Sequence, residues 1–94
     1  MKDKLVILVT GSSGFSGQVL IPKLRTLGCE VIGIDYKSGS YTTKIVDISK
    51  PFTIEQSVKV VIHLAARLEH DRCSSKEYHE TNVEGTKNAL DIAL

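Results

Sequence analysis

An α/β fold, built as a doubly wound parallel sheet, is predicted for this 94-residue chain by three observations. Short, nearly continuous apolar runs alternate with stretches of helical periodicity, as strands buried on both faces alternate with the helices that cover them. Three glycines spaced three apart, Gly11, Gly14 and Gly17, stand directly behind the first apolar run. A carboxylate, Asp35, ends the second run, 24 residues after Gly11.

The first strand is read at residues 4–9 (KLVILV), rich in Val and Ile and ended by Gly11. After the glycine loop, Phe15, Val19, Leu20, Leu24 and Leu27 recur at helical spacing, and Gly28 follows where a glycine stop belongs. Pro22 inside this helix removes a backbone donor and crowds the carbonyl of Gln18, which predicts a kink. Residues 30–35 (EVIGID) form the second strand, and Ser-Gly-Ser at 38–40 is turn chemistry. A weaker third strand is read at 42–47 and a clear fourth at 59–64. Between them Pro51 is placed to open a short helix over 52–57. From Ser74 onward the chain reads as helix, started by a Ser74/Glu77 capping box and carrying an apolar stripe of Val83, Thr86, Leu90 and Leu94. Gly85 costs about 1 kcal/mol against Ala inside a helix, so a close neighbour is expected there.

Composition narrows the function. With 41% hydrophobic and 24% charged residues the chain reads as one globular domain. Twelve basic against eleven acidic side chains, without a basic block, exclude nucleic acid as an expected partner. The apolar run after Lys4 is too short for a signal peptide, and no stretch approaches membrane-spanning length, so the chain is placed in the cytoplasm. Cys29 and Cys73 lack ligand-spaced partners and are read as reduced thiols. Glu69, His70 and Asp71 are adjacent in a loop and point in different directions, so no metal site is expected. His63 is read as a packing residue at a strand end.

Strand, glycine turn and helix together make a phosphate-binding device, because glycines let the backbone approach an anion and the helix N-terminus attracts it. Gly11 permits the turn, Gly14 leaves room for a pyrophosphate, and Gly17 lets the helix pack closely. A Walker-type loop is excluded, since Gln18 follows Gly17 and no Gly-Lys-Ser/Thr occurs. Asp35 stands where an acid hydrogen-bonds the ribose hydroxyls of a dinucleotide. In a doubly wound sheet all the loops after the strands share one edge, where ligands bind.

TGSSGFSG, VIGID, VDIS, VVIHLAA and TNVEGT, in this order, resemble the N-terminal half of the extended short-chain dehydrogenases. These are the NAD-dependent epimerase/dehydratase family, which works mostly on nucleotide sugars. The resemblance covers nearly the whole chain and implies a partial Rossmann sheet in strand order 3-2-1-4. It implies that Gly11, Gly14 and Gly17 hold the pyrophosphate with backbone donors from Phe15 and Ser16. It further implies that Asp35 holds the ribose, that Asp47 and Ile48 hold the adenine, and that Leu64, Ala65 and Ala66 pass near the central riboses. Asn82 matches an amide that steadies the sheet. The charge of Asp35 repels a 2′-phosphate, so NAD is expected over NADP, with Lys37 the one feature favouring NADP. Ser16 and Arg67 depart from the family, which has larger apolar and smaller residues there.

The family's chemistry uses a Tyr and a Lys four residues later. Four residues after Tyr36, Tyr41 and Tyr78 stand Ser40, Ile45 and Asn82, so no catalytic residue is assigned. Residues 1–94 are thus expected to be a truncated NAD-binding domain without a substrate domain, inactive alone. The alternative is a non-catalytic nucleotide-binding or dimerisation module. The fourth strand, apolar on both faces at a sheet edge, is a template for another chain, and a homodimer through it, the last helix or both is expected.

Overall fold

The structure, a computed structural model, describes residues 4–66 and 74–93. Its strands are β1 (Val6–Thr10), β2 (Glu30–Asp35), β3 (Lys44–Ile45) and β4 (Val60–His63). They form one parallel sheet in the order β3-β2-β1-β4. Helix α1 (Phe15–Thr26) links β1 to β2, and α2 (Ser75–His79), a π-helical turn (Glu80–Glu84) and α3 (Gly85–Ala93) follow β4. This is the Rossmann-type sheet with strand order 3-2-1-4.

Alternation along the strands makes two cores. Leu8, Ile32, Ile34, Val46 and Ile48 are buried on one face, with Ile92 of α3 packed on them. Ile7, Val9, Val31 and Ile21 of α1 fill the other. β1, β2 and β4 feed both faces, which is why their runs lack the polar half of a one-sided strand.

The second strand falls at the expected residues. The first lies two residues later at its start than the reading of 4–9, and the fourth is trimmed at both ends. The third shrinks to two paired residues, Ile34 with Lys44 and Asp35 with Ile45, because it is an edge whose side chains are exposed. No helix forms over 52–57. Phe52, Ile54 and Val58 lie against the sheet while Thr53, Glu55 and Ser57 face out. Residues 52–55 alternate with a period of two, which exposed Gln56 breaks before Val58, and a non-helical segment buries the three apolar side chains on one side where a helix could not.

Each helix buries only part of the stripe expected of it: Leu20 and Leu24 in α1 and Thr86 in α3 turn inward. In α1 the buried residues are Gly17 and Ile21, with Leu24 packed beside them, whereas Phe15, Val19 and Leu27 are exposed. In α3 they are Gly85 and Ala89, with Ile92, whereas Val83 and Leu90 are exposed. Each face starts on a glycine in close contact. A Cβ on Gly17 would lie 2.4 Å from the Gly11 carbonyl oxygen, and one on Gly85 would lie 2.7 Å from Ile48 Cδ1. The glycines let the helix axes approach, and that approach fixes the rotation of each helix. Gly85 thus has the close neighbour its position called for.

Helix α1 runs unbroken through Pro22 and ends at Gly28, whose φ is +91°. The Ser74/Glu77 capping box is present, with the Glu77 N–H donating to Ser74 Oγ at 3.1 Å. The single long helix expected from Ser74 is interrupted by the wide π turn. Arg67, Glu69, His70, Asp71, Cys73 and Leu94 lie outside the described residues.

Candidate functional site

The loops after all four strands meet at one edge of the sheet around a cavity of about 340 Å³. β1 supplies Gly11, Ser13 and Gly14, and β2 supplies Asp35 to Lys37. β3 supplies Val46 to Ile48, β4 supplies Leu64 to Ala66, and Thr81 of the π turn faces the same space.

The glycine loop is locked before any ligand enters. Gly11 has φ +78°, the left-handed region that glycine enters without penalty, and a Cβ there would lie 2.9 Å from the Ala65 nitrogen. Gly11 and Ser12 both donate their N–H to the Ile34 carbonyl, at 2.9 and 3.1 Å. The hydroxyl of Thr42 lies 2.6 Å from those of Ser12 and Ser13, tying the loop after β2 to the glycine loop. Gly14 differs from the other two. Its backbone is extended, and an added Cβ would meet only the Gly11 oxygen, at 3.3 Å. Packing therefore demands glycine least at Gly14, which lines the cavity together with Gly11.

Gly14 is also the N-cap of α1, and no side chain caps the helix there. The first N–H groups of a helix have no intrahelical partner, so this end presents donors and the positive end of the helix dipole. Phe15 and Ser16 occupy that first turn with exposed side chains, and Gly17 is buried against the loop. These three residues do not line the cavity side by side with Gly14, and any role of Phe15 and Ser16 is through the backbone.

Asp35 is 8% exposed and both its carboxylate oxygens are engaged. The Ser13 N–H donates to Oδ2 and the Lys37 N–H to Oδ1, each at 3.0 Å. The acid thus holds the glycine loop as well as facing the cavity. Lys37 lines the same wall, its Nζ 5.2 Å from the Tyr36 ring centroid. Asp47 closes a turn, accepting from the Ser49 N–H at 3.0 Å and the Ser49 hydroxyl at 2.6 Å. Ile48 is buried, sits between the cavity and Gly85, and accepts at its carbonyl from Asn88 Nδ2 at 2.8 Å.

Behind the β4 loop lies a line of polar groups that starts at buried Thr10 and runs through half-buried His63 and Thr86. Thr10 Oγ1 accepts from the N–H of Leu64 at 3.0 Å and of Ala65 at 3.1 Å. It lies 2.7 Å from His63 Nδ1, while His63 Nε2 lies 3.0 Å from Thr86 Oγ1. Burial pushes the His63 imidazole below its usual 6.5. Thr10, Thr42, Thr86 and Asn88 were not among the residues the sequence singles out for the site; Thr10, which opens TGSSGFSG, and Thr86, which closes TNVEGT, lay inside quoted motifs without a role of their own.

A parallel Rossmann-type sheet with a glycine turn leading into an uncapped helix, and an acid at the end of the neighbouring strand, defines the class of nucleotide-binding α/β folds. Within that class the model of the NAD dependent epimerase/dehydratase family matches residues 7–94, and the chain belongs to that family. Among solved structures it is similar to a short-chain dehydrogenase/reductase superfamily protein from Agrobacterium tumefaciens with bound NAD. That match has 30% identity and a TM-score of 0.76 over 94% of this chain and 28% of the other. It is similar also to a UDP-galactose 4-epimerase, at 28% identity and a TM-score of 0.80 over 95% of this chain and 34% of that one. MoeE5, solved with UDP-glucose and NAD, matches at 28% identity and a TM-score of 0.69, covering 92% of this chain and 31% of that one. The chain therefore spans roughly a third of these relatives' lengths. No curated protein matches it. Among the described residues no helix is long and apolar enough to cross a membrane.

Proposed function

We propose that this chain binds NAD through its adenosine and pyrophosphate. The observation that carries the reading is the convergence of Gly11, Ser13 and Gly14, Asp35, Asp47, Ile48 and the Leu64 to Ala66 stretch at one edge of the sheet. The cavity fits that half of a dinucleotide: about 340 Å³ is at the lower end for small-molecule pockets. The pyrophosphate would lie at Gly14 against the N–H groups of Phe15 and Ser16, where Gly17 keeps the helix close. Asp35 would accept from the ribose hydroxyls, Asp47 from the adenine amine, and Ile48 would cover the ring. Leu64, Ala65 and Ala66 would border the central riboses. NAD is favoured over NADP because a 2′-phosphate would meet the Asp35 carboxylate.

Bound NAD supplies hydride transfer. These 94 residues hold no Tyr-x-x-x-Lys pair to move the accompanying proton, and the proposal is that they do not turn over substrate by themselves. The substrate class of a longer protein built on this domain is proposed as a nucleotide sugar, in keeping with the epimerase and the UDP-glucose complex among its relatives. A second property is proposed from β4: among the described residues it pairs only with β1 and exposes Val60, so this edge joins two copies of the chain.

Calorimetric titration with NAD, NADP and AMP tests the reading. NAD and AMP bind, NADP binds more weakly, and Gly14→Val abolishes binding while urea unfolding still shows a cooperatively folded chain. Tighter binding of NADP than of NAD overturns the role of Asp35, and undiminished binding by Gly14→Val overturns that of the loop.

A further inference from the structure

We infer that His63 is a positioning residue for the nucleotide cavity, setting the direction of a hydrogen-bond chain that holds the Leu64 to Ala66 wall in place. Only its consequence for affinity rests on the NAD reading above.

The direction follows from counting donors. The Thr10 hydroxyl has one hydrogen and two lone pairs. Both lone pairs face N–H groups, of Leu64 at 3.0 Å and Ala65 at 3.1 Å. Its hydrogen therefore goes to His63 Nδ1, 2.7 Å away, which must be the unprotonated ring nitrogen. A neutral imidazole then carries its proton on Nε2, which donates to Thr86 Oγ1 at 3.0 Å. Thr86 passes its own hydrogen to the Asn82 carbonyl at 2.7 Å. The chain runs one way, from the sheet through the ring to the helix.

The other tautomer, or the imidazolium, places a hydrogen on Nδ1 facing the Thr10 oxygen. Three N–H groups would then compete for two lone pairs. Leu64 has a second acceptor in the Thr10 carbonyl at 3.2 Å, so the displaced contacts are at Ala65 and at the Thr10 hydroxyl hydrogen. Ala65 is also the residue against which Gly11 packs, with 2.9 Å from its nitrogen to the Gly11 Cβ position. A shift at Ala65 is thus felt in both walls of the cavity.

The surroundings favour the neutral ring. β1 carries no ionisable side chain. On the helical side Glu80 pairs with Lys76, Glu84 pairs with Lys87 and His79, and Asp91 is exposed. Lys59 precedes β4 and is exposed. Among the described residues none of these pairs with His63, and burial alone lowers its pKa.

The test is read on the full chain by nitrogen NMR of the His63 ring, by amide exchange at Ala65 and by calorimetric titration with NAD. The wild-type ring is expected as the Nε2–H tautomer, which needs no variant to observe; an Nδ1–H ring overturns the inference. Thr86→Val keeps the shape and removes the acceptor. It is expected to mix the tautomers, speed Ala65 exchange about fivefold and weaken NAD about fivefold, the loss of one hydrogen bond. Thr86→Ser restores all three, which a packing role for the threonine methyl would not do. Unchanged tautomer and exchange in Thr86→Val overturn the inference. A wild type that shows the tautomer and the exchange effect without binding NAD supports the chain of hydrogen bonds and overturns the cofactor reading instead.

Discussion

Replacing Gly85 by alanine puts a methyl group where the structure has the Ile48 side chain. The new carbon would lie 2.7 Å from Ile48 Cδ1 and 2.9 Å from Cγ1, well inside contact distance. Two effects oppose each other. Alanine is favoured over glycine in a helix by about 1 kcal/mol, whereas added volume in a packed core costs about 1–3 kcal/mol. The net expectation is a loss of about 0–2 kcal/mol. Because the clash is with the end of a side chain rather than backbone, Ile48 yields by rotating, and its open side is the cavity. Nucleotide affinity should therefore fall even where stability barely changes. Ile48→Val removes the nearest atom and costs about 0.5–1.5 kcal/mol in the wild type, but should cost less beside Ala at position 85. Urea unfolding of the wild type, both single variants and the double variant measures the coupling. Additive effects within about 0.5 kcal/mol would refute the contact, as would a Gly85→Ala chain more stable by the full helix-propensity difference.

Asp35→Asn removes one of the two acceptor oxygens that hold Ser13 and Lys37, and should cost about 1–3 kcal/mol in urea unfolding. The same variant should narrow the preference for NAD over NADP, and an unchanged ratio by calorimetry would refute the repulsion argument. The lowered pKa of His63 means that the unfolded chain binds the proton more readily than the folded one. Stability should therefore be full above 6.5, fall as pH drops from 6.5 toward the folded value, and level off below it. His63→Phe should flatten that part of the urea-midpoint profile. Light scattering at high concentration should find a dimer that Val60→Lys disrupts; a monodisperse monomer would sink the proposal for β4.

The strands were legible because burial on both faces leaves a local mark, a short run of Val, Ile and Leu that needs no knowledge of what lies across from it. The helix faces were legible only in part. Gly17 and Gly85 begin the packed faces of α1 and α3, yet glycine counts as nothing in an apolar pattern, so Phe15 and Val19, Val83 and Leu90 drew the stripe onto the exposed side. The segment at 52–57 misled through Pro51, a good helix opener, while the period-two burial of Phe52 and Ile54 depends on the sheet beneath. For the site, residue types with few alternative roles stood out, glycines at fixed spacing and an acid at a strand end. Thr42 and Asn88 did not, and Thr10 stood out only as a letter of TGSSGFSG, because a hydroxyl or amide acquires its role only from the distant groups it meets. The π turn is of the same kind, since Thr86 and Asn88 tie the helix after it to His63 and to the Ile48 carbonyl.

The strand order also sets a sequence of events. β1 lies in the interior of the sheet, yet its partner on one side is far along the chain: 53 residues separate Thr10 from His63. At about 5–20 residues per second a ribosome needs roughly 3–10 s to make that stretch. During that time β1 can pair with β2 while its other edge, with Ile7, Leu8 and Val9, has no cover. Closing the long β1–β4 loop carries its own entropy cost, of a kind that slows folding in parallel sheets. The nascent chain thus passes through a stage in which its most apolar strand is open to any neighbour, and its yield in a cell should depend on how quickly Val60 to His63 arrive.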